Sequence, residues 1–227
     1  MNIAILGYGK MGKAIETICA SKEHSIGLKI DSKNTHLLNT KNLSNIDVAI
    51  EFSTPNTAFD NIAFCLNNNI PVISGTTGWL EELPKIKKLC KETQGSFLHS
   101  SNFSIGINIF IEILKKTNSL IKSLEYQINI IETHHTSKKD SPSGTALLLK
   151  ELILNEQPRD IEIPIMSKRI GQNHGEHTIT FSSNIDTIQL SHKANNRIGF
   201  AKGSILAAEF ILNKTGFFSM KDVINTL

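Results

Sequence analysis

The sequence predicts an α/β protein, a Rossmann-like doubly wound parallel sheet with an inserted α+β domain. Three observations predict it. Short continuous apolar runs alternate with helix-like stretches over the first hundred residues. A G-x-G-x-x-G turn follows the first of those runs. Near Ser104 the pattern switches to strands that alternate apolar and polar residues.

Asn2 to Leu6 is an Ile-rich run closed by Gly7, and Met11 to Ala20 follows with Met11, Ile15 and Ile18 on one helical face. Ser25 to Ile30, Val48 to Phe52, Pro71 to Ile73 and Ser96 to His99 are the next four strands, with helices at Thr57 to Asn67 and Trp79 to Thr93 between the later ones. Unbroken apolar strands separated by helices indicate a parallel sheet covered on both faces, and crossover handedness favours an open doubly wound domain. A helix over Ile105 to Ile121 then precedes Leu124 to Ile130, where Leu124, Tyr126, Ile128 and Ile130 alternate with polar residues. That period of two marks a strand with one wet face. Glu176 to Ser182 and Thr187 to His192 are strand-like, and Gly203 to Leu212 is an apolar helix. The expected domains are residues 1–104 plus 199–227 and an inserted 105–198, with the chain's end packing back on the first. A hinge is expected near Ser104 and Arg197.

Composition excludes several classes. Of 227 residues, 40% are apolar and 20% charged, and 24 basic against 21 acidic side chains give a net charge of +3. This is the make-up of a folded globular chain, with too little charge for a nucleic-acid binder. The three cysteines (Cys19, Cys65, Cys90) are widely spaced and form no C-x-x-C, which fits a reducing compartment. No run approaches the ~18 apolar residues of a membrane span. Nor does a basic segment with a long apolar run open the chain, so a cytoplasmic location is expected.

Gly7-Tyr8-Gly9-Lys10-Met11-Gly12 ends the first strand and opens a helix. Its glycines suit a tight turn, a close backbone approach to a pyrophosphate and close helix–strand packing, with the phosphates at the helix N-terminus. Asp31 stands nineteen residues past Gly12, where a carboxylate can take hydrogen bonds from the adenosine ribose. Its charge favours NADH, while Lys33 could offset that repulsion and admit NADPH, so both dinucleotides fit the sequence.

The second constellation runs from Glu132 through His134, His135, Lys138, Lys139, Asp140, Ser141, Pro142, Ser143, Gly144 and Thr145. Two histidines at a strand end can supply a proton near neutral pH, and Lys138 adds a cation or second donor. Pro142 suits the first turn of a helix capped by Ser141, so the N–H groups of Ser143, Gly144 and Thr145 would form an anion cradle. Each part alone is ordinary: a hydrogen-bonded histidine, a solvated lysine, a helix start. Their adjacency points to acid–base chemistry on an anion.

The segment from His134 to Thr145 resembles the signature of the dihydrodipicolinate reductase family, also called 4-hydroxy-tetrahydrodipicolinate reductase. Gly7 to Gly12, Gly75-Thr-Thr-Gly78, Ser101-Asn-Phe-Ser-Ile-Gly106, Gly175-Glu-His177, His192-Lys-Ala194 and Phe200-Ala-Lys-Gly203 occur in the family's order across nearly the whole chain. The resemblance implies reduction of a cyclic dicarboxylate to tetrahydrodipicolinate, with loss of water and hydride transfer from NADH or NADPH, on the diaminopimelate route to lysine. It implies a homotetramer assembled through the second domain's sheet. By the same resemblance Gly75, Thr76 and Thr77, with Ser100, Ser101, Asn102 and Phe103, line the nicotinamide side. His134 is the proton donor or acceptor, Lys138 a second proton donor, and His135, Ser143, Gly144 and Thr145 bind carboxylates. No metal is implied. The chain departs from the family at Lys10, where Arg is usual, at Ser141, where Ala is common, and in a short stretch between Asn155 and Gly175. Two other readings compete: a different nicotinamide dehydrogenase with an inserted α+β domain, and a non-enzymatic NADH sensor, which gives His134 and Lys138 no task.

Overall fold

Along the first strand, β1 (Asn2–Leu6), Ile3 and Ile5 face one way and Ala4 and Leu6 the other, all fully buried. Both faces of this strand are therefore covered. In the computed structural model, which describes residues 1–157, 161–196 and 198–227, the chain forms two units: Met1–Ile105 with Ile198–Leu227, and Gly106–Arg197. Arg197, one of the two expected hinge positions, and residues 158–160 of the shortened stretch lie outside the described residues.

In the first unit β1 is followed by α1 (Lys10–Cys19), β2 (Ser25–Ile30), α2 (Thr40–Leu43), β3 (Val48–Glu51), α3 (Pro55–Asn67), β4 (Val72–Ser74), α4 (Leu83–Glu92) and β5 (Ser96–His99). The long helix expected from Trp79 is two pieces, a single 3-10 turn at Leu80–Glu82 and then α4, which has a proline in its first turn. With α7 (Ile198–Ile211) and β10 (Gly216–Phe218) returning from the chain's end, the sheet is parallel throughout, in the order β10-β5-β4-β3-β1-β2. Its order reverses beside β1, and open α/β sheets bind ligands outside the carboxyl ends of the strands at such a point. Ala4, Leu6, Ala49 and Val72 pack with α3 and α4 on one face; Ile3, Ile5, Val48 and Ile73 pack with α1 and α7 on the other.

The second unit holds most of α5 (Ile105–Ile121), then β6 (Gln127–His134), α6 (Gly144–Leu154), β7 (Ile165–Arg169), β8 (Glu176–Ser182) and β9 (Thr187–Lys193). Its mixed sheet runs β7-β6-β8-β9; β6 and β7 are parallel, and the other pairs antiparallel. Ile107, Phe110 and Leu114 of α5 and Leu149 and Ile153 of α6 cover Ile128, Ile130, Ile179 and Phe181. The strand expected from Leu124 starts three residues later and runs on to His134, because Leu124 is exposed while the buried alternation continues through Glu132 and His134. The sequence reading missed β7 altogether.

The chain closes with α7 (Ile198–Ile211), β10 (Gly216–Phe218) and α8 (Met220–Ile224). α7 begins five residues before the expected Gly203, since Gly199 and Gly203 sit inside the helix instead of starting it. At Gly203 a Cβ would come 1.8 Å from the Phe103 carbonyl oxygen, so only glycine lets the helix lie against that turn.

Candidate active site

Two groups of predicted residues are assembled, one in each unit. In the first, Gly7 has φ +98° and a Cβ there would stand 2.0 Å from the Phe52 carbonyl oxygen, so the turn after β1 requires glycine twice over. Gly12 is equally restricted, its Cβ falling 2.8 Å from the Gly7 oxygen. Gly9 differs: a Cβ there meets nothing within 4 Å. It faces open space at the start of α1, where the first helical bond runs only from Lys13 N–H to the Gly9 oxygen. The N–H groups of Lys10, Met11 and Gly12 thus precede the helical ladder, as an anion site requires. The residues present fit a dinucleotide's pyrophosphate.

Asp31 lies at the end of β2, its carboxylate accepting from Lys33 N–H at 2.8 Å and its own N–H donating to Asn34 Oδ1 at 2.7 Å. That turn fixes the carboxylate and leaves its second oxygen for a ligand. The other predicted nucleotide residues divide. The Tyr8 hydroxyl is bound to Glu16, the Ser100 hydroxyl to the Asn102 carbonyl, and Phe103 is a core residue packed edge-on to Phe52. Thr76 is buried with its hydroxyl donating to Glu51 at 2.8 Å. Thr77 and Ser101 are exposed, and Gly75 leaves room for the Phe52 ring, which a Cβ would meet at 2.1 Å.

Sequence reasoning missed Glu51. This carboxylate is fully buried at the end of β3 and accepts from Ser53 N–H at 2.8 Å, Ser74 Oγ at 2.6 Å and Thr76 Oγ1. One side chain thereby ties together the loops after β3 and β4. The signal available was an acidic residue closing an otherwise apolar strand.

In the second unit the period of two along β6 places Glu132 and His134 on the same buried face as Ile128 and Ile130. β8 brings His177 opposite Glu132, and β9 brings His192 opposite His177. The apolar face of the sheet therefore ends in a row of titratable groups. Glu132 is fully buried; its Oε2 lies 2.6 Å from His134 Nδ1, and its Oε1 accepts from Arg169 Nη2 at 2.9 Å and from Ser143 N–H at 3.2 Å. Burial pushes the Glu132 carboxyl up, but the Ser143 N–H, the nearby Ser167 hydroxyl, Arg169 and His134 together outweigh it and hold the group down at about 2.

His134 is held below the usual imidazole range chiefly by burial, with Lys138 and Arg169 acting the same way and Glu132 opposing them. His177, its ring 5.2 Å from that of His134, is pushed down to about 4 by burial first and His134 second. Gly175 (φ +127°) faces His134; a Cβ there would sit 3.2 Å from His134 Nε2. Lys138 reaches Asp140 at 2.8 Å and lies below His134, in a turn closed by Lys138 N–H to the His135 oxygen. His135 Nδ1 pairs with Ser137 Oγ at 2.8 Å. Lys139 is exposed, as a solvated lysine should be.

The anion cradle is displaced from the expected position. α6 starts at Gly144 and its cap is Ser143, whose Oγ accepts from Ala146 N–H at 3.2 Å; Ser141 and Pro142 lie before the cap. Ser143 is therefore not a free ligand: its hydroxyl caps the helix, its N–H serves Glu132, and the residue is buried. Gly144 and Thr145 supply the first helical N–H groups, and a Cβ on Gly144 meets nothing within 4 Å. Arg169, His177 and His192 were not anticipated as site residues. Glu132, His134 and His177 also bring three possible metal-ligand atoms within 4.8 Å of one another; Glu132 Oε1 is engaged by Arg169 and Ser143, while Oε2, 2.6 Å from His134 Nδ1, has no hydrogen-bond partner among the described residues.

The buried imidazole of His177 makes stability depend on pH. Its folded pKa of about 4 lies below the ordinary 6.5, so the unfolded chain takes up the proton first. The contribution is fully present above pH 6.5 and is lost as pH falls through 4. At about 1.4 kcal/mol per unit it is on the order of 3 kcal/mol. Urea unfolding should show this loss between pH 7 and pH 4, and His177→Gln should flatten it. An unfolding midpoint that stays level over that range in the unaltered protein rules the effect out.

Residues 1–103 match the family model described as dihydrodipicolinate reductase, N-terminus, and residues 106–224 match the model of its C-terminus. The chain is 45% identical to a 4-hydroxy-tetrahydrodipicolinate reductase of Christiangramia forsetii, over 100% of this chain and 99% of that one. It is 37% identical to the enzyme of the same name from Thermosipho africanus, covering 99% and 98%. Among solved structures, a dipicolinate-bound dihydrodipicolinate reductase from Paenisporosarcina sp. TG-14 superposes with a TM-score of 0.79 at 24% identity, over 98% of each chain.

Proposed function

The chain belongs to the dihydrodipicolinate reductase family, and from that membership we propose how its residues divide the work. The reaction is the NAD(P)H-dependent reduction of 4-hydroxy-tetrahydrodipicolinate to tetrahydrodipicolinate, with loss of water, in lysine biosynthesis by the diaminopimelate route. In balance, substrate, NAD(P)H and one proton give product, NAD(P)⁺ and water. The single observation that carries the assignment is the buried Glu132–His134 pair, set at the polar end of a strand face and followed by the open helix start at Gly144.

Gly7 to Gly12 and Asp31 would hold the dinucleotide, with Gly75 to Thr77 and Ser100 to Phe103 lining its nicotinamide side, and its chemistry there would be hydride supply. Gly144 and Thr145 N–H, with His135 and Lys138, bind the two carboxylates. A bound dianion raises the His134 pKa, so the imidazole is charged when substrate is present. From Nε2 it then neutralises the charge that hydride addition builds on the ring. Lys138 stands ready to protonate the departing hydroxyl, and the ring C–H proton released as that elimination forms a double bond balances it, so one net proton is consumed. The outer face of the second sheet, where Met166 is 57% exposed, is our assignment for self-association into a homotetramer; sedimentation velocity reads the mass directly. Among the described residues no helix is long and apolar enough to cross a membrane. All three thiols are free and buried, which supports a reducing cytoplasm.

The direct test couples the protein to a dihydrodipicolinate synthase reaction and follows NADH or NADPH oxidation. Folded protein that binds NADH yet oxidises none above background overturns the assignment. Asp31→Ala should weaken NADH about tenfold or more and NADPH much less, because hydrogen bonds to a charged group contribute about 1.5–3 kcal/mol and only NADH offers the free 2′-hydroxyl. Titrating both dinucleotides on one preparation checks this; an unchanged ratio removes Asp31 from ribose recognition.

A further inference from the structure

We propose that Glu132 is a positioning residue, which fixes the His134 ring with Nδ1 as donor and so leaves Nε2 as the atom that exchanges protons with the ligand. The inference rests on the reading of His134 as the proton-transfer group.

Three features of the geometry carry it. First, Glu132 is fully buried yet anchored: Arg169 Nη2 at 2.9 Å and Ser143 N–H at 3.2 Å both bond Oε1, which leaves Oε2 aimed at His134 Nδ1 at 2.6 Å. Neither Oε2 nor Nδ1 makes a well-aligned hydrogen bond, and both are buried without another hydrogen-bond partner among the described residues; a carboxylate accepts only, so the proton that joins the two atoms sits on Nδ1, and Nε2 is then the free nitrogen. Second, Gly175 is the residue opposite Nε2, where any larger side chain would put a carbon within 3.2 Å of the nitrogen. Third, the same Arg169 Nη2 donates to the Asp140 carbonyl at 2.6 Å. The clamp on Glu132 thus also holds the loop that carries Lys138. The charged and titratable groups around His134 are Glu132 on its own strand, Arg169 from β7, His177 from β8 and Lys138 from the following loop. Of these only Glu132 is anionic, so it alone can accept from an imidazolium. An acidic residue that orients a catalytic imidazole through its far nitrogen is a recurring device, and replacing such a carboxylate by its amide can cost about 10⁴-fold by imposing the wrong tautomer.

Glu132→Gln keeps an oxygen for Arg169 and Ser143 but turns an amide N–H₂ toward Nδ1, which forces the proton onto Nε2. The expected result in the intact protein is a kcat lower by roughly 10²–10⁴-fold with the dinucleotide KM unchanged. The ionisation assigned to His134 in the pH–rate profile moves to lower pH, and Glu132→Asp restores part of the rate. Wild-type turnover and pH profile in Glu132→Gln, alongside a crippled His134→Gln, overturn the positioning role and leave the proton role standing. A fully active His134→Gln overturns the underlying reading instead. If Glu132→Gln does not fold, ¹⁵N shifts of the His134 ring in the unaltered protein still decide: a neutral ring protonated on Nδ1 supports the proposal, and one protonated on Nε2 overturns it.

Discussion

Replacing His134 with Gln should lower kcat by about 10²–10⁴-fold, the usual contribution of a positioned general acid, while dinucleotide affinity stays close to its original value. The side chain closes β6 on the buried face, below the apolar residues Ile128 and Ile130, with Glu132 at 2.6 Å behind its Nδ1. Glutamine matches the polarity and much of the volume but cannot be protonated near neutral pH, so the loss falls on the proton step. The residues proposed to bind the nucleotide belong to the other unit, so the variant's Kd for NADH is the control. Single-turnover reduction should show the whole deficit. A chemical step at the original rate would place the proton donor elsewhere.

Lys138→Ala should be nearly as damaging, with kcat reduced by about 10²-fold or more for loss of a proton donor and the substrate KM raised. Its ammonium is a quarter exposed and paired with Asp140 at 2.8 Å, and that pairing draws the Asp140 carboxyl below its usual range. Because Asp140 is itself exposed, the pair is a weak one that a substrate carboxylate can displace. Lys138→Arg keeps the charge but not a group that releases a proton, so it should recover KM without recovering kcat. Stopped-flow and steady-state rates for the two variants separate charge from proton supply, and wild-type turnover in Lys138→Ala takes Lys138 out of the chemistry.

The parts legible in advance were those with local causes. β1, the Gly7 turn, α1 and β2 follow from unbroken apolar runs and from glycine positions that no other residue can fill. A helix start near Ser143 was legible for the same reason. Its register was not, because Ser141 and Ser143 are both good caps and Pro142 suits a first turn. The choice of Ser143 follows from the Ser143 N–H bond to Glu132, eleven residues back. Stopping the second unit's first strand at Ile130 hid Glu132 and His134 from the buried face. Carrying the alternation two steps further would have exposed both.

By itself the sequence determined the parallel α/β first half, the glycine turn with Asp31 at the end of the next strand and the family resemblance, and it singled out His134 and Lys138 as candidates. These rest on spacing along one segment, and backbone periodicity converts spacing into position directly. Only the tertiary structure decided that Glu51 ties the loops after β3 and β4 together, that Arg169 clamps Glu132, and that His177 and His192 complete the row behind His134. Those partners come from strands tens of residues apart, brought together by cross-strand register. No local pattern encodes register; it is set when both faces of each strand find their cover.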